Sequence, residues 1–104
     1  MDFDSFWQAL PLKLKSGTKI KNWTTAKGYL GDEFAILSVS DKALEINTAN
    51  AKNVQRVSRQ DFEVTFENWD AYCSGKLPRQ ELAQMTRNSK YTISIIKHLE
   101  ASER

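Results

Sequence analysis

Ser58-Arg-Gln-Asp61, followed at once by apolar residues at helical spacing, constrains the fold more than any other stretch of this chain. The Ser58 hydroxyl can accept the Asp61 backbone N–H while the Asp61 carboxylate reaches back to the Ser58 N–H, satisfying two donors that a helix start leaves open. Behind this signal Phe62, Phe66, Trp69 and Cys73 recur at i, i+4, i+7 and i+11. That stripe predicts one helix from Ser58, closed by Gly75 in the left-handed conformation of a C-terminal cap. Such a helix needs an apolar surface to lie on, and the preceding residues supply one.

Glu33 to Ser40 reads EFAILSVS, apolar on both alternating sets, which predicts a strand covered on both faces or nearly so. Asp41-Lys42 reads as a hairpin turn, and Ala43 to Thr48 returns with Leu44 and Ile46 inward and Glu45 and Asn47 outward. Thr18 to Trp23 alternates like an extended edge strand, and Gly28 and Gly31 bracket a turn around Tyr29 and Leu30. Ala49 to Lys52 is a loop, and Asn53 to Val57 a further short strand. At the start, Asp2 or Asp4 can cap a helix carrying Phe3, Phe6, Trp7 and Leu10 on one face, with Pro11 at its end or at a kink. Pro78 opens a short helical turn through Met85, and Thr86 or Asn88 caps a last helix bearing Tyr91, Ile95 and Leu99. Because Tyr91, Ile93 and Ile95 also alternate, a strand at 88–101 stays open as the alternative. The order predicts a single α+β domain over residues 1–104. It has a short N-terminal helix, a meandering antiparallel sheet of three or four strands, then two or three helices packed on one sheet face.

Composition removes several functions. No run approaches the roughly 20 apolar residues of a membrane helix. The opening MDFDSFWQAL carries acids instead of a basic region before an apolar run, so the expected location is cytoplasmic, with no membrane partner. A single Cys and a single His allow neither an internal disulfide nor a Cys/His zinc site. G-x-x-x-x-G-K-[ST], G-x-G-x-x-G and G-x-S-x-G are all missing. No cofactor, no resident metal and no catalytic residue is therefore expected, and the chain leans away from being an enzyme.

SRQDFE at 58–63, the W..Y..G of Trp69, Tyr72 and Gly75, the RQEL of Arg79 to Leu82, and TRNSKYTISIIKHL from Thr86 stand behind the strand pair EFAILSVSDKALEI. Together they resemble the small uncharacterised proteins of bacterial mobile gene cassettes, the integron cassette proteins. The resemblance spans most of the chain. It implies a stand-alone bacterial cytoplasmic domain, often oligomeric, and carries no catalytic pattern to transfer.

Charge is nearly balanced overall, 15 Lys+Arg against 13 Asp+Glu, yet it is segregated along the chain. Leu12 to Lys27 holds Lys13, Lys15, Lys19, Lys21 and Lys27 without an acid. On an edge strand Lys19, Lys21 and Trp23 share one face, giving two cations and a ring on which a base could stack, and Arg56 and Arg59 could extend the patch. The competing reading is a solvated edge whose lysines block aberrant pairing while Trp23 packs inward. Glu63, Glu67 and Asp70 form an acidic helix stripe that reads as a solvated face ahead of a metal site. Arg87, Lys90 and Lys97 with His98 are candidates for an anion site at the start of the last helix, against a simple solubilising role. Cys73 is expected to be a small buried hydrophobe. Eleven Phe, Trp and Tyr residues exceed what one small core readily hides, which points to Phe3, Phe6 and Trp7 as a subunit interface. The reading that follows is a self-associating, non-enzymatic binding or interaction protein that holds a protein or small ligand beside the sheet. The alternative is a nucleic-acid-binding accessory protein using the Lys-rich edge.

Overall fold

The computed structural model describes residues 2–48 and 54–102, and in it the chain starts with helix α1 (Phe3–Lys13). Asp2 caps α1 by accepting the Ser5 N–H at 2.8 Å, and that bond holds the Asp2 carboxyl below the usual carboxylate range. Pro11 does not end the helix. It sits in the last turn, forfeiting only its own bond, and the Leu14 N–H still reaches the Leu10 carbonyl at 2.8 Å.

Strands β1 (Lys19–Thr24), β2 (Gly28–Val39), β3 (Ala43–Thr48) and β4 (Gln55–Ser58) then form an antiparallel meander in the order β1-β2-β3-β4. The first hairpin turns earlier than the glycines suggested. Gly28 already pairs with Thr24 and Tyr29 with Trp23, and the φ of +72° at Gly28 supplies the left-handed residue the turn requires. The helices lie on one side of the sheet, so β2 is not covered on both faces as its composition suggested. Phe34 and Ile36 are buried beneath the helices, while Leu37 and Ser38, at a shift of register against β3, are exposed. The odd spacing of Val54 and Val57 resolves in the same way, Val57 facing the core and Val54 water. The expected loop at 49–52, and Asn53 after it, lie outside the described residues.

Ser58 ends β4 and caps α2 (Arg59–Glu67), accepting the Asp61 N–H at 3.2 Å. The reciprocal half of the expected box does not form. An aspartate is one methylene shorter than the glutamate usual at this position, and its carboxylate turns outward to the loop between α4 (Arg79–Met85) and α5 (Ser89–Ser102). Its Oδ1 accepts the Thr86 hydroxyl at 2.6 Å and the Arg87 N–H at 3.1 Å, and its Oδ2 accepts the Asn88 amide at 3.3 Å. Asn88, with φ of 60°, is the one non-glycine residue at positive φ among those described. Its Nδ2 also donates to the Arg56 carbonyl at 3.2 Å, and its Oδ1 accepts from Gln55 at 3.0 Å. Loop, β4 and α2 are thus joined through two side chains.

The single helix expected from Ser58 to Gly75 is two. The interruption falls at Asn68, whose ψ of 11° departs from helical geometry and whose Nδ2 joins its own N–H on the Val64 carbonyl, at 2.8 and 3.2 Å, before α3 (Trp69–Cys73) begins. Gly75, at φ +83°, closes α3 as expected, with the Leu77 N–H on the Ala71 carbonyl. Pro78 is the residue before α4 instead of its first helical residue. The segment from Ser89 onward is a helix, not a strand; its residues Thr92 to Ile96 are all buried where it crosses the sheet and meets α2. Among the described residues no helix is long and apolar enough to cross a membrane.

The main core joins Trp7, Leu10, Ile20, Ile36, Leu44, Val57, Phe62, Ile95 and Leu99, and a smaller cluster holds Tyr72, Leu82 and Ile93 with Trp23 and Trp69 against it. Phe3 and Trp7, expected at a subunit interface, are only 7% and 4% exposed within the monomer. The Arg59 guanidinium lies over both rings, 5.6 and 5.9 Å from their centroids, and pairs with Asp4. Phe6 is half-buried against Phe66 at 4.9 Å. These rings close the core because α1 lies directly on α2, leaving little of their surface for a second subunit.

Two stability measurements follow. Phe62→Ala should cost about 3–5 kcal/mol in urea denaturation, the range for a ring removed from a closed core. Asp61→Ala should cost about 1–3 kcal/mol, because three donors of the 86–88 loop lose their acceptor together. A change under about 0.5 kcal/mol, the scatter of ordinary surface substitutions, would show that the loop does not depend on Asp61.

Candidate functional site

β1 is an outer strand, and its two halves have different surroundings. Toward its C-terminal end, the Trp23 N–H donates to Ser94 Oγ at 3.0 Å and the Thr25 N–H to the Tyr72 hydroxyl at 3.2 Å, so α5 and α3 occupy that stretch. Asn22 is buried beneath it and donates to the Asp32 carboxylate at 2.8 Å, which also takes the Lys90 ammonium at 3.4 Å. Burial pulls the Asp32 carboxyl upward. The backbone N–H of Asp32, the Lys90 ammonium and the Asn22 amide outweigh it and hold the group below the usual carboxylate range.

The N-terminal half of β1 is open. Lys19 and Lys21 are both exposed and line a depression of about 370 Å³ together with Tyr29 from β2 and His98 from α5. Lys19 stands 4.0 Å from Glu33, a solvated contact that leaves its charge available. The expected ring is absent from this depression. Trp23 is half-buried, with Trp69 and Tyr72 at centroid distances of 6.1 and 6.4 Å and the Lys97 ammonium 4.9 Å from its own centroid. Tyr29, 56% exposed, takes its place beside the lysines. Sequence reasoning missed Tyr29 because the flanking glycines suggested a turn. Its two-residue phase with Glu33 and Ala35 was the available signal.

Arg56 stands apart from this group. Pairing places β4 at the opposite edge of the sheet, roughly 14 Å from β1 at ordinary strand spacing. There Arg56 lines a second depression, of about 550 Å³, with Arg87 from the loop before α5. The cations of the last helix do not converge either: Arg87 faces that second depression, Lys90 pairs with Asp32, and Lys97 covers Trp23. The acidic stripe is divided by the Asn68 break, and among the described residues no three His, Cys, Asp or Glu side chains are placed to hold a metal. Cys73 is exposed, contrary to expectation: it is the last residue of α3, directly before the Ser74 cap and the Gly75 turn. Partial desolvation, then Glu100 and Asp70, push its thiol above the ordinary value, and the opposing pull of Lys97 is too weak to reverse this. That environment is the reverse of an activated nucleophile's.

No protein-family model, curated protein or solved structure gives a significant match to this chain.

The different settings of the two rings can be measured directly. Trp23→Ala should destabilise the protein by about 2 kcal/mol, less than a fully enclosed Trp, whereas Tyr29→Ala should leave the denaturation midpoint unchanged. Alkylation of Cys73 by iodoacetamide should rise with pH to a midpoint above 9.0, the ordinary value for a thiol; a midpoint near neutrality would contradict the described environment.

Proposed function

We propose that the chain is a non-enzymatic nucleic-acid-binding accessory protein that holds a single strand along the open half of β1. The observation that carries this reading is the convergence of Lys19, Lys21, Tyr29 and His98 on one depression. Two ammonium groups can follow a phosphate backbone, and an exposed phenol ring offers a face on which an unpaired base stacks irrespective of sequence. Lys13, Lys15 and Lys27 lie in the same acid-free stretch of the sequence. A self-associating interaction protein is the less favoured reading, since the rings that argued for it pack inside the monomer.

Fluorescence anisotropy with a labelled single-stranded oligonucleotide tests this. Affinity should fall steeply as salt rises. Replacing Lys19 and Lys21 together by Ala should weaken binding and reduce the log–log salt slope by about 1 for each phosphate no longer neutralised. Tyr29→Ala should weaken binding by about 1–3 kcal/mol with the slope retained. Arg56→Ala should leave it unchanged. No binding at low salt, or binding indifferent to the double lysine replacement, would overturn the reading.

A further inference from the structure

We infer that the depression at the β4 edge is a second, independent binding site, for a small phosphate monoester. Its volume of about 550 Å³ lies in the range of small-molecule pockets. Arg56 and Arg87 line it from different elements, a strand and a loop, and neither guanidinium has an ion-pair partner among the described residues. Arg59, by contrast, is paired with Asp4 and covers Phe3 and Trp7.

The one acid in the lining, Asp61, forms no ion pair with either arginine and leaves the pair of guanidinium groups in net excess. Both oxygens of Asp61 are engaged by Thr86, the Arg87 backbone and Asn88. Those same bonds set the position of the wall from which Arg87 projects. Asn88 is held in its left-handed conformation by bonds to Gln55, Arg56 and Asp61, so the loop is pinned before any ligand arrives. The side chains of Gln55 and Gln60 add amide groups to the lining. Two planar guanidinium forks together with amide donors match the three oxygens and double charge of a phosphate better than a carboxylate, which a single fork satisfies. Met85, 50% exposed, and half-buried Val64 give the rest of the ligand a compact apolar contact.

The site is tested by ¹H–¹⁵N NMR titration of the full chain with inorganic phosphate, phenyl phosphate and benzoate. Saturable shifts should centre on Gln55, Arg56, Gln60 and the 86–88 loop. Phenyl phosphate should bind more tightly than inorganic phosphate, through Met85 and Val64, and more tightly than benzoate. Arg56→Gln and Arg87→Gln, both exposed positions whose variants should retain the wild-type denaturation midpoint, should each weaken phenyl phosphate about tenfold through loss of one charge-assisted pair. Replacing Lys19 and Lys21 by Ala should leave this titration unchanged, which separates it from the nucleic-acid reading. Absence of saturable shifts, shifts centred on Lys19 and Lys21, or benzoate binding as tightly as phenyl phosphate would each overturn the assignment.

Discussion

The Asp61 carboxylate joins parts of the chain that are far apart in sequence. The backbone N–H of the same residue completes the cap that lets α2 start directly from β4, and the carboxylate oxygens fix the loop from which α5 departs. The placement of α5 matters because α5 crosses β1, supplies Ile95 and Leu99 to the main core, and carries the Ser94 hydroxyl that receives the Trp23 N–H. A charged acceptor with three donors is among the stronger polar contacts available to a small domain. Here it works where direct packing is thin: α4 reaches the rest of the fold mainly through Leu82 and its connections at either end.

One-sided burial of the sheet organises the rest. All the helices share a single face, so the outward side of β1 to β4 carries Lys19, Lys21, Glu33, Glu45 and Arg56 facing water. The balance of charge in the composition hides this arrangement. Lysines gather at one edge of the sheet, arginines at the other, and several of the acids are engaged within the fold: Asp2 at a helix start, Asp61 with the 86–88 loop, Asp32 with Asn22 and Lys90, Glu100 with Trp69. The two depressions therefore differ in chemistry, ammonium groups with a phenol and an imidazole at β1, guanidinium groups with amides at β4.

What could be read from the sequence was local and periodic. The Ser58 cap, the Gly75 stop, the Asp41-Lys42 hairpin and the inward Leu44 and Ile46 follow from short-range chemistry and are found as expected. The break at Asn68 was not legible, because the apolar stripe of Phe62, Phe66 and Trp69 runs straight through it. The site was half legible. Lys19 and Lys21 were identified from an acid-free run, but which ring accompanies them depends on the register shift between Lys21 and Trp23, a tertiary fact. Asp61 shows the same limit: its position in a cap was evident, and its bonds to residues 86–88 were not, since contacts across 25 or more residues leave no local pattern.

The side chains along the two outer strands have a consequence for how the molecule behaves in a crowd. An open sheet of four strands ends in rows of backbone groups that invite another chain to add itself, which is how fibrils grow. On β4 the Arg56 carbonyl is already taken by Asn88, and along β1 and the turn after it the Trp23 and Thr25 N–H groups are taken by Ser94 and Tyr72. What remains open on β1 is bordered by lysines, whose mutual repulsion discourages like copies from pairing there. That stretch of edge is thereby a poor template for the addition of another copy of the same strand.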